Sequence, residues 1–129
     1  MDGQELAYRY RAYIACLNER RFDELGLYVS EDARHNGRTL GVDGYRAMLE
    51  RDVHDIPDLV FHIELLICEP PKIAARLRFD CHPAGLFLGI KVNGRRVEFC
   101  ENVIYEFRDG RISEVWSVID KQAIETQLE

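Results

Sequence analysis

Two acidic residues in the C-terminal half lie among apolar residues, where a carboxylate is costly. Glu101 interrupts an alternating segment whose other same-face residues are apolar, and Asp120 ends the next such segment. A buried carboxylate without a partner is strongly destabilising, so it is paired, protonated or functional. Burial also raises the pKa of a carboxyl group, as a general base near neutral pH requires. Glu101 and Asp120 are therefore candidate catalytic residues for proton transfer.

Glu101 also has a purely structural explanation. Arg76, Arg78 and Arg111 fall on neighbouring predicted strands, and any of them could form an ion pair with it. Buried charges are commonly paired in this way. The alternating pattern does not choose between an ion pair and a catalytic role.

Asp120 has an alternative role as well. Strict alternation places it on one strand face with Trp116 and Val118, which would surround its carboxyl group with apolar side chains. Asp is also a preferred N-cap residue, and the helical segment 121–125 follows directly. The sequence pattern leaves both roles open.

Other residues that could form hydrogen bonds to a ligand have plainer explanations. His35 and Asn36 precede Gly37 and are typical of a solvated turn. His82 lies in a loop, where a lone histidine is usually on the surface. Tyr13, on the first predicted helix, is typical of a core or an interface. Spacing alone assigns none of them to a site.

Metal and cofactor sites have no signature in the chain. The four cysteines and four histidines are scattered, and no ligand spacing recurs among them. The motifs of nucleotide, flavin and zinc sites and of serine nucleophiles do not occur. We therefore expect no bound metal and no organic cofactor.

The bulk properties indicate one globular domain, 1–129, with 47% hydrophobic residues. A net charge of −6 repels phosphate backbones, so we expect no nucleic-acid partner. The longest apolar stretch, 59–68, contains His62 and Glu64 and is far shorter than the ~20 residues of a membrane-spanning helix. We expect no membrane partner. The acidic N-terminus does not resemble a signal peptide, so we expect a cytoplasmic location.

The hydrophobic period changes from helical to alternating along the chain. Helical spacing predicts a long amphipathic helix over 4–21, a short one over 22–29, and a third that begins after 41–44 and stops before Pro57. Alternation then predicts strands over 59–68, 72–80, 96–107 and 112–119, with tight turns at Asn93-Gly94 and Asp109-Gly110. This order predicts an α+β fold, with helices laid across one face of a curved antiparallel sheet and an apolar cavity between the layers.

Several short motifs follow one another in a specific order over almost the whole chain. They are His35-Asn36-Gly37, Gly41-Val42-Asp43-Gly44, Ile56-Pro57-Asp58, Phe87-Leu88-Gly89, Asn93-Gly94-Arg95 and Asp109-Gly110-Arg111, followed by Trp116. In this order the chain resembles the SnoaL-like polyketide cyclases of the nuclear-transport-factor-2-like superfamily. The resemblance implies an α+β cone, a homodimer, and a deep pocket closed by the first helices.

The resemblance also implies a reaction and a set of residues. Family cyclases close aromatic polyketide esters by an intramolecular aldol reaction without a cofactor, and the family's aspartate acid/base maps onto Asp120. Asn36 and Trp116 fall where family members line the cavity. His82 lies one residue earlier than the histidine of the family motif, which is a departure from the family pattern.

Combining residues and resemblance, we hypothesise an enzyme that forms an enolate from a small apolar carbonyl compound. Ligand-binding candidates, in addition to the two carboxylates, are His35, Asn36, Tyr13, Phe79, His82, Phe87 and Trp116. The alternatives are a ligand-binding module without turnover, favoured if Asp120 is a cap, and a dimerisation domain with a filled interior. A homodimer is expected through the outer sheet face, which alternation assigns to Cys68, Ile104, Val115 and Ile119.

Overall fold

The computed structural model describes all 129 residues. Its helices are α1 (Gly3–Asn18), a 3₁₀ helix (Phe22–Leu27), α2 (Gly41–Asp55) and α3 (Lys121–Gln127). Its strands are β1 (Val29–His35), β2 (Arg38–Thr39), β3 (His62–Glu69), β4 (Lys72–Cys81), β5 (Leu86–Phe87), β6 (Ile90–Lys91), β7 (Val97–Arg108) and β8 (Arg111–Ile119). None of the helices is long and apolar enough to cross a membrane.

Six strands form one sheet in the order β2-β1-β8-β7-β4-β3, and β5 pairs with β6 in a separate hairpin. Neighbouring strands of the large sheet are antiparallel, except that β1 runs parallel to β8. The N-terminal helices cover the concave face of this curved sheet. The predicted α+β class is thus confirmed, and the parallel β1–β8 pair adds a feature that the sequence pattern did not indicate.

Amphipathic spacing explains how α1 packs on the sheet. Its buried face consists of Leu6, Tyr10, Tyr13, Ile14, Cys16 and Leu17. Asp2 caps the helix, because its Oδ1 accepts a hydrogen bond of 2.8 Å from the backbone N–H of Glu5. The helix ends at Asn18 rather than near Arg21, and Arg20 has a positive φ of 59°. One face of α1 therefore forms the roof over the middle of the sheet.

The inner face of β7 agrees with the alternation read from the sequence. Val97, Phe99, Val103 and Tyr105 are buried on that face, and Glu101 lies in the middle of the row. The neighbouring strand β8 contains a one-residue bulge at Ser113. Phe107 of β7 pairs with Ile112 and Glu106 pairs with Glu114, so Ser113 has no pairing partner on β7. A one-residue bulge exchanges the two faces of everything that follows it.

The bulge at Ser113 corrects the faces assigned to β8. Val115, Ser117 and Ile119 point into the fold, whereas Trp116 and Val118 are exposed on the outside. Strict alternation from Ile112 gave the opposite assignment, so the placement of Trp116 inside the pocket was wrong. Asp120 is exposed as well and does not line the cavity.

A second bulge, between Ile63 and Leu65 in β3, has the same effect. It turns Leu65 and Ile67 outward, so that the exposed apolar side of the sheet, which we call the outer face, consists of Leu65, Ile67, Ile104, Trp116 and Val118. Of the residues assigned to this face from the sequence, only Ile104 lies there. Val115 and Ile119 face inward, and the Cys68 thiol donates to the Gly3 carbonyl oxygen of α1 at 3.4 Å.

The start of α2 depends on a glycine. Gly41 has a φ of +64°, and a Cβ atom added there would lie 2.7 Å from the carbonyl oxygen of Glu31. Any other residue would combine a left-handed conformation with a backbone clash. Gly41 therefore sets the approach of α2, the second helix over the sheet, to β1.

We predict that Gly41→Ala lowers the free energy of unfolding by about 2–5 kcal/mol, the sum of φ strain and overpacking. Gly85→Ala is the matched control, since Gly85 also has a positive φ, +57°, but open space around the added Cβ. It should cost only about 1–2 kcal/mol. Urea unfolding of both variants measures the difference, and equal losses would contradict the close approach at Glu31.

Candidate active site

The space between the helices and the sheet is a cavity of about 420 Å³, lined by 18 residues of which 12 are hydrophobic. Its polar side chains are contributed by α1, β1, α2, β7, β8 and the start of α3. A smaller space of about 60 Å³ shares Asp52, Phe61, Glu101 and Ile119 with it. A mainly apolar cleft with a few convergent polar groups is the usual form of a small-molecule site.

Glu101 points into this cavity from the centre of β7. Its carboxylate accepts a hydrogen bond from the Ser117 hydroxyl on β8. Burial raises the pKa of Glu101, and the Ser117 hydrogen bond opposes that rise because it stabilises the charged form. Ser117 reaches Glu101 because the bulge at Ser113 turns its side chain inward.

No arginine neutralises Glu101. Arg76 lies 3.5 Å from Glu64, and Arg78 lies 3.5 Å from Glu98. Arg111 forms no salt bridge with Glu101 either. The ion-pair explanation is therefore wrong, and the Ser117 hydroxyl is the one hydrogen-bond donor to this carboxylate.

Asp52 is a second carboxyl group in the same cavity, and the sequence interpretation missed it. It lies on the inner face of α2, three residues after Leu49 and seven after Tyr45. Burial first, and then the negative charge of Glu101, raise the pKa of Asp52 to about 6. An acidic residue on the apolar stripe of a helix was the signal that could have identified it.

Buried tyrosine hydroxyls form the rest of the polar lining. The Tyr13 and Tyr45 hydroxyls are 2.6 Å apart, and Tyr10 donates to the Tyr105 hydroxyl at 3.1 Å. Burial raises the pKa of Tyr13, Tyr45 and Tyr105, so these phenols stay protonated and remain hydrogen-bond donors. The predicted site residue Tyr13 thus lines the cavity, together with Tyr45 and Tyr105.

His35 and Asn36 reach the cavity from the end of β1. Burial, and then the positive charge of Arg38, lower the pKa of His35, so its imidazole is neutral at pH 7. The Asn36 side chain donates to the Ser117 carbonyl oxygen at 3.1 Å and accepts from the Ser117 N–H at 2.8 Å. Asn36 therefore holds β1 beside β8 and fixes the backbone of Ser117.

The two phenylalanines expected as pocket walls line the smaller compartment. Phe79 stacks on Phe99 with ring centroids 5.1 Å apart, and Phe87 lies 5.5 Å from Phe99. Both face the compartment that Asp52 and Glu101 share with the main cavity. They close the apolar end of the site.

Three predicted site residues lie outside the cavity. Asp120 caps α3, since its Oδ1 accepts a 3.1 Å hydrogen bond from the Ala123 N–H. Trp116 is on the outer face, as described above. The exposed His82 ring has its Nδ1 2.7 Å from Asp58 Oδ2, which holds it outside the pocket. The structure thus corrects the placement of all three: a helix cap, a bulge and a surface hydrogen bond decide their positions.

The arrangement is suited to proton transfer. It combines two carboxyl groups of raised pKa with phenol donors in an apolar space. No three histidine, cysteine, aspartate or glutamate side chains are grouped so that they could hold a metal ion. The fold and this cavity define a cone-shaped α+β protein with two carboxyl groups facing an internal cavity.

The SnoaL-like polyketide cyclase family model matches residues 7–128, and the chain belongs to this family. A SnoaL-like polyketide cyclase from Agrobacterium tumefaciens is 50% identical over 100% of both chains, with a TM-score of 0.96. TsrD from Streptomyces laurentii is 26% identical over 99% of this chain and 97% of its own, with a TM-score of 0.85. No curated protein sequence matches the chain significantly.

More distant structures share the fold alone. IdmH from Streptomyces antibioticus is 18% identical over 95% of this chain and 97% of its own, with a TM-score of 0.81. At this identity the likeness supports the curved sheet and its helices, and it says nothing about individual site residues.

We predict that Asp52→Asn raises the free energy of unfolding by about 1–3 kcal/mol at pH 8, since one pKa unit corresponds to about 1.4 kcal/mol and Asp52 is partly exposed. The folded-state pKa of about 6 exceeds the ordinary value of 3.8. The destabilisation caused by the Asp52 charge is therefore absent below about pH 4, grows between about pH 4 and pH 6, and is fully present above about pH 6.

Urea unfolding at pH 4 and pH 8 measures this difference. Glu50→Gln is the control, because Glu50 is an exposed residue of the same helix, paired with Arg46 at 2.9 Å. Its effect should stay within about 0.5 kcal/mol at both pH values. An Asp52→Asn protein that is less stable than the wild type at pH 8 would contradict the raised pKa.

Proposed function

We propose that the chain is an acid/base enzyme of the polyketide cyclase type, which forms an enolate from a small carbonyl compound with Glu101 as the general base. The observation that supports this most strongly is the carboxylate of Glu101, directed into an apolar cavity without a counter-ion. A desolvated carboxylate is a stronger base than one in water. The residue assigned this role is thus Glu101 rather than Asp120.

The tyrosines complete the chemistry. As Glu101 removes the proton next to a carbonyl group, negative charge develops on the carbonyl oxygen. The Tyr13–Tyr45 hydroxyl pair can donate a hydrogen bond to that oxygen, and the charge of Glu101 contributes to the raised pKa of both phenols. Fixed donors in a space with little water stabilise such an oxyanion better than water does.

The cavity favours a neutral, mostly apolar substrate. Its volume of about 420 Å³ is in the range for a small molecule, and most of its lining is hydrophobic. Two acidic groups in the interior would repel an anionic substrate. The relative from Agrobacterium tumefaciens is described as a polyketide cyclase, which supports an intramolecular aldol closure of an enolisable ester or ketone.

A ligand-binding module without turnover is the second candidate function. The capping hydrogen bond of Asp120 supports it, because the acid/base residue that the family resemblance implied is occupied elsewhere. A pure dimerisation domain is less well supported, since its interior would be filled by its own side chains. Turnover that depends on the Glu101 carboxylate distinguishes the enzyme from the ligand-binding module.

We predict that Glu101→Gln slows turnover by roughly 10²–10⁴-fold, because Gln has the same shape but cannot accept a proton from carbon. Asp120→Asn should keep the wild-type rate, since Asn also caps a helix. The assay is deuterium uptake from D₂O into enolisable ketones and polyketide-like esters. Full activity in Glu101→Gln, or loss of activity in Asp120→Asn with the fold intact, would contradict the assignment.

We also propose that the chain forms a homodimer through the outer face. Trp116 is 44% exposed and Val118 is 70% exposed there, in a shallow groove between them and β4. The ion pairs Arg76–Glu64 and Arg78–Glu98 supply both signs of charge on the same side. A two-fold axis through such a surface can place apolar groups against apolar groups and positive charges against negative charges.

In analytical ultracentrifugation, the wild-type chain should sediment at twice its 15.0 kDa mass at micromolar concentration. Trp116→Glu should shift it to the monomer, because a charge would be buried without a partner. Tyr8→Glu is the matched control, since Tyr8 is 79% exposed on α1, away from the sheet. A monomeric wild type, or a dimeric Trp116→Glu variant, would contradict the interface.

A further inference from the structure

Asp52 and Glu101 face one cavity from opposite layers, Asp52 from α2 and Glu101 from β7. Neither forms a salt bridge. One carboxylate is enough to remove a proton from carbon, so the proposed function leaves Asp52 without a role. A partly buried acid that destabilises the fold needs a separate explanation.

The two carboxyl groups have different surroundings. The Ser117 hydroxyl donates to Glu101, which favours the ionised form of Glu101. No backbone or side-chain group donates a hydrogen bond to the carboxylate of Asp52. A hydrogen bond to the charged form of a carboxyl group favours that form, and a carboxyl group without one holds its proton more readily. Of the two, Glu101 is therefore the better suited to act as the base and Asp52 to act as the acid.

Taking the proposed function as given, we propose that Asp52 is the general acid of the site, and that it protonates the second carbonyl oxygen while Glu101 removes the proton from carbon. The intramolecular closure proposed above needs both groups, because the second carbonyl oxygen gains a proton as the new bond forms. A substrate with one carbonyl group needs only Glu101 and the tyrosine donors.

The proton and electron balance of such a closure is complete. The C–H bond beside the first carbonyl breaks, its proton goes to Glu101, and the electron pair forms the enolate. The enolate carbon then bonds to the second carbonyl carbon, whose π electrons move to oxygen. That oxygen takes the proton of Asp52. One proton passing from Glu101 to Asp52 restores the starting state, so no oxidant, reductant or co-reactant is required.

The charged and titratable groups around Asp52 agree with this role. Glu101 on β7 raises the pKa of Asp52. On the helix of Asp52 itself, Asp55 raises this pKa and Arg51 lowers it, and both effects are smaller than that of Glu101. The other facing groups are Tyr13 from α1, Tyr45 from α2, Tyr105 from β7, His35 from β1 and Lys121 from α3. The pKa of Asp52, raised to about 6 by burial and by Glu101, keeps a protonated fraction available near neutral pH.

Two reactions distinguish this proposal from the proposed function. The probes are cyclohexanone, assayed for deuterium uptake from D₂O, and a linear 1,5-diketone, assayed for ring closure. Glu101→Gln should lose both activities. Asp52→Asn should slow ring closure by roughly 10²-fold more than it slows deuterium uptake, because only ring closure needs a general acid. Glu50→Gln, on the exposed side of α2, should retain both.

The pH dependence provides a signature that a structural role would not produce. For ring closure by the wild type, kcat/KM should fall about tenfold per pH unit above pH 6, as Asp52 loses its proton. In Asp52→Asn this fall should disappear. Asp52→Asn that closes the ring at the wild-type rate, or that loses both reactions equally, overturns the role of Asp52 while leaving that of Glu101 intact.

A third measurement does not depend on activity. Carboxyl-carbon NMR of the aspartate-labelled chain should show Asp52 titrating near pH 6, and at lower pH in Glu101→Gln because a neighbouring negative charge is gone. Titration of Asp52 near pH 4 in the wild type would overturn the proposal even if neither probe reacts. Absence of both reactions with the expected titration would instead count against the proposed function.

Discussion

The central constraint on this fold is the burial of the Glu101 carboxylate without a counter-ion. One hydroxyl group, that of Ser117, satisfies it, and Ser117 is directed inward only because β8 has a bulge at Ser113. Asn36 fixes the Ser117 backbone from β1 through two hydrogen bonds. The parallel β1–β8 pair, the bulge and the Asn36 side chain thus act together to hold a costly charge at the centre of an apolar space.

The same constraint explains the second layer of the site. α2 brings Asp52 to within electrostatic reach of Glu101, and Gly41 allows the helix to start close to β1. Two like charges facing one cavity weaken the fold when both are ionised. Such a pair lowers the stability of the fold, and carboxyl groups with raised pKa values are more common in active sites than in structural cores.

The sequence predicted the fold class and the order of the N-terminal helices and the four longest strands. It also predicted the inward direction of Glu101, because the long alternation of β7 is uninterrupted. It could not predict the β8 faces, since a bulge at Ser113 leaves no mark in an alternating pattern and reverses Trp116 and Ser117. Asp52 was visible in principle as an acid on the apolar stripe of α2. Its meaning depends on Glu101 on the opposite wall of the cavity, and periodicity does not show that two residues so far apart in the chain face the same cavity.

A crystal structure with bound 2-naphthol tests the central claim most directly, because a naphthol is a flat, apolar mimic of an enol. The naphthol oxygen should lie within about 3.2 Å of the Tyr13 or Tyr45 hydroxyl, the range of a hydrogen bond. The ring edge should lie about 3–3.5 Å from the Glu101 carboxyl group, the separation from which a proton could be taken. Naphthol bound only in the outer-face groove beside Trp116, with the internal cavity empty, would contradict the account.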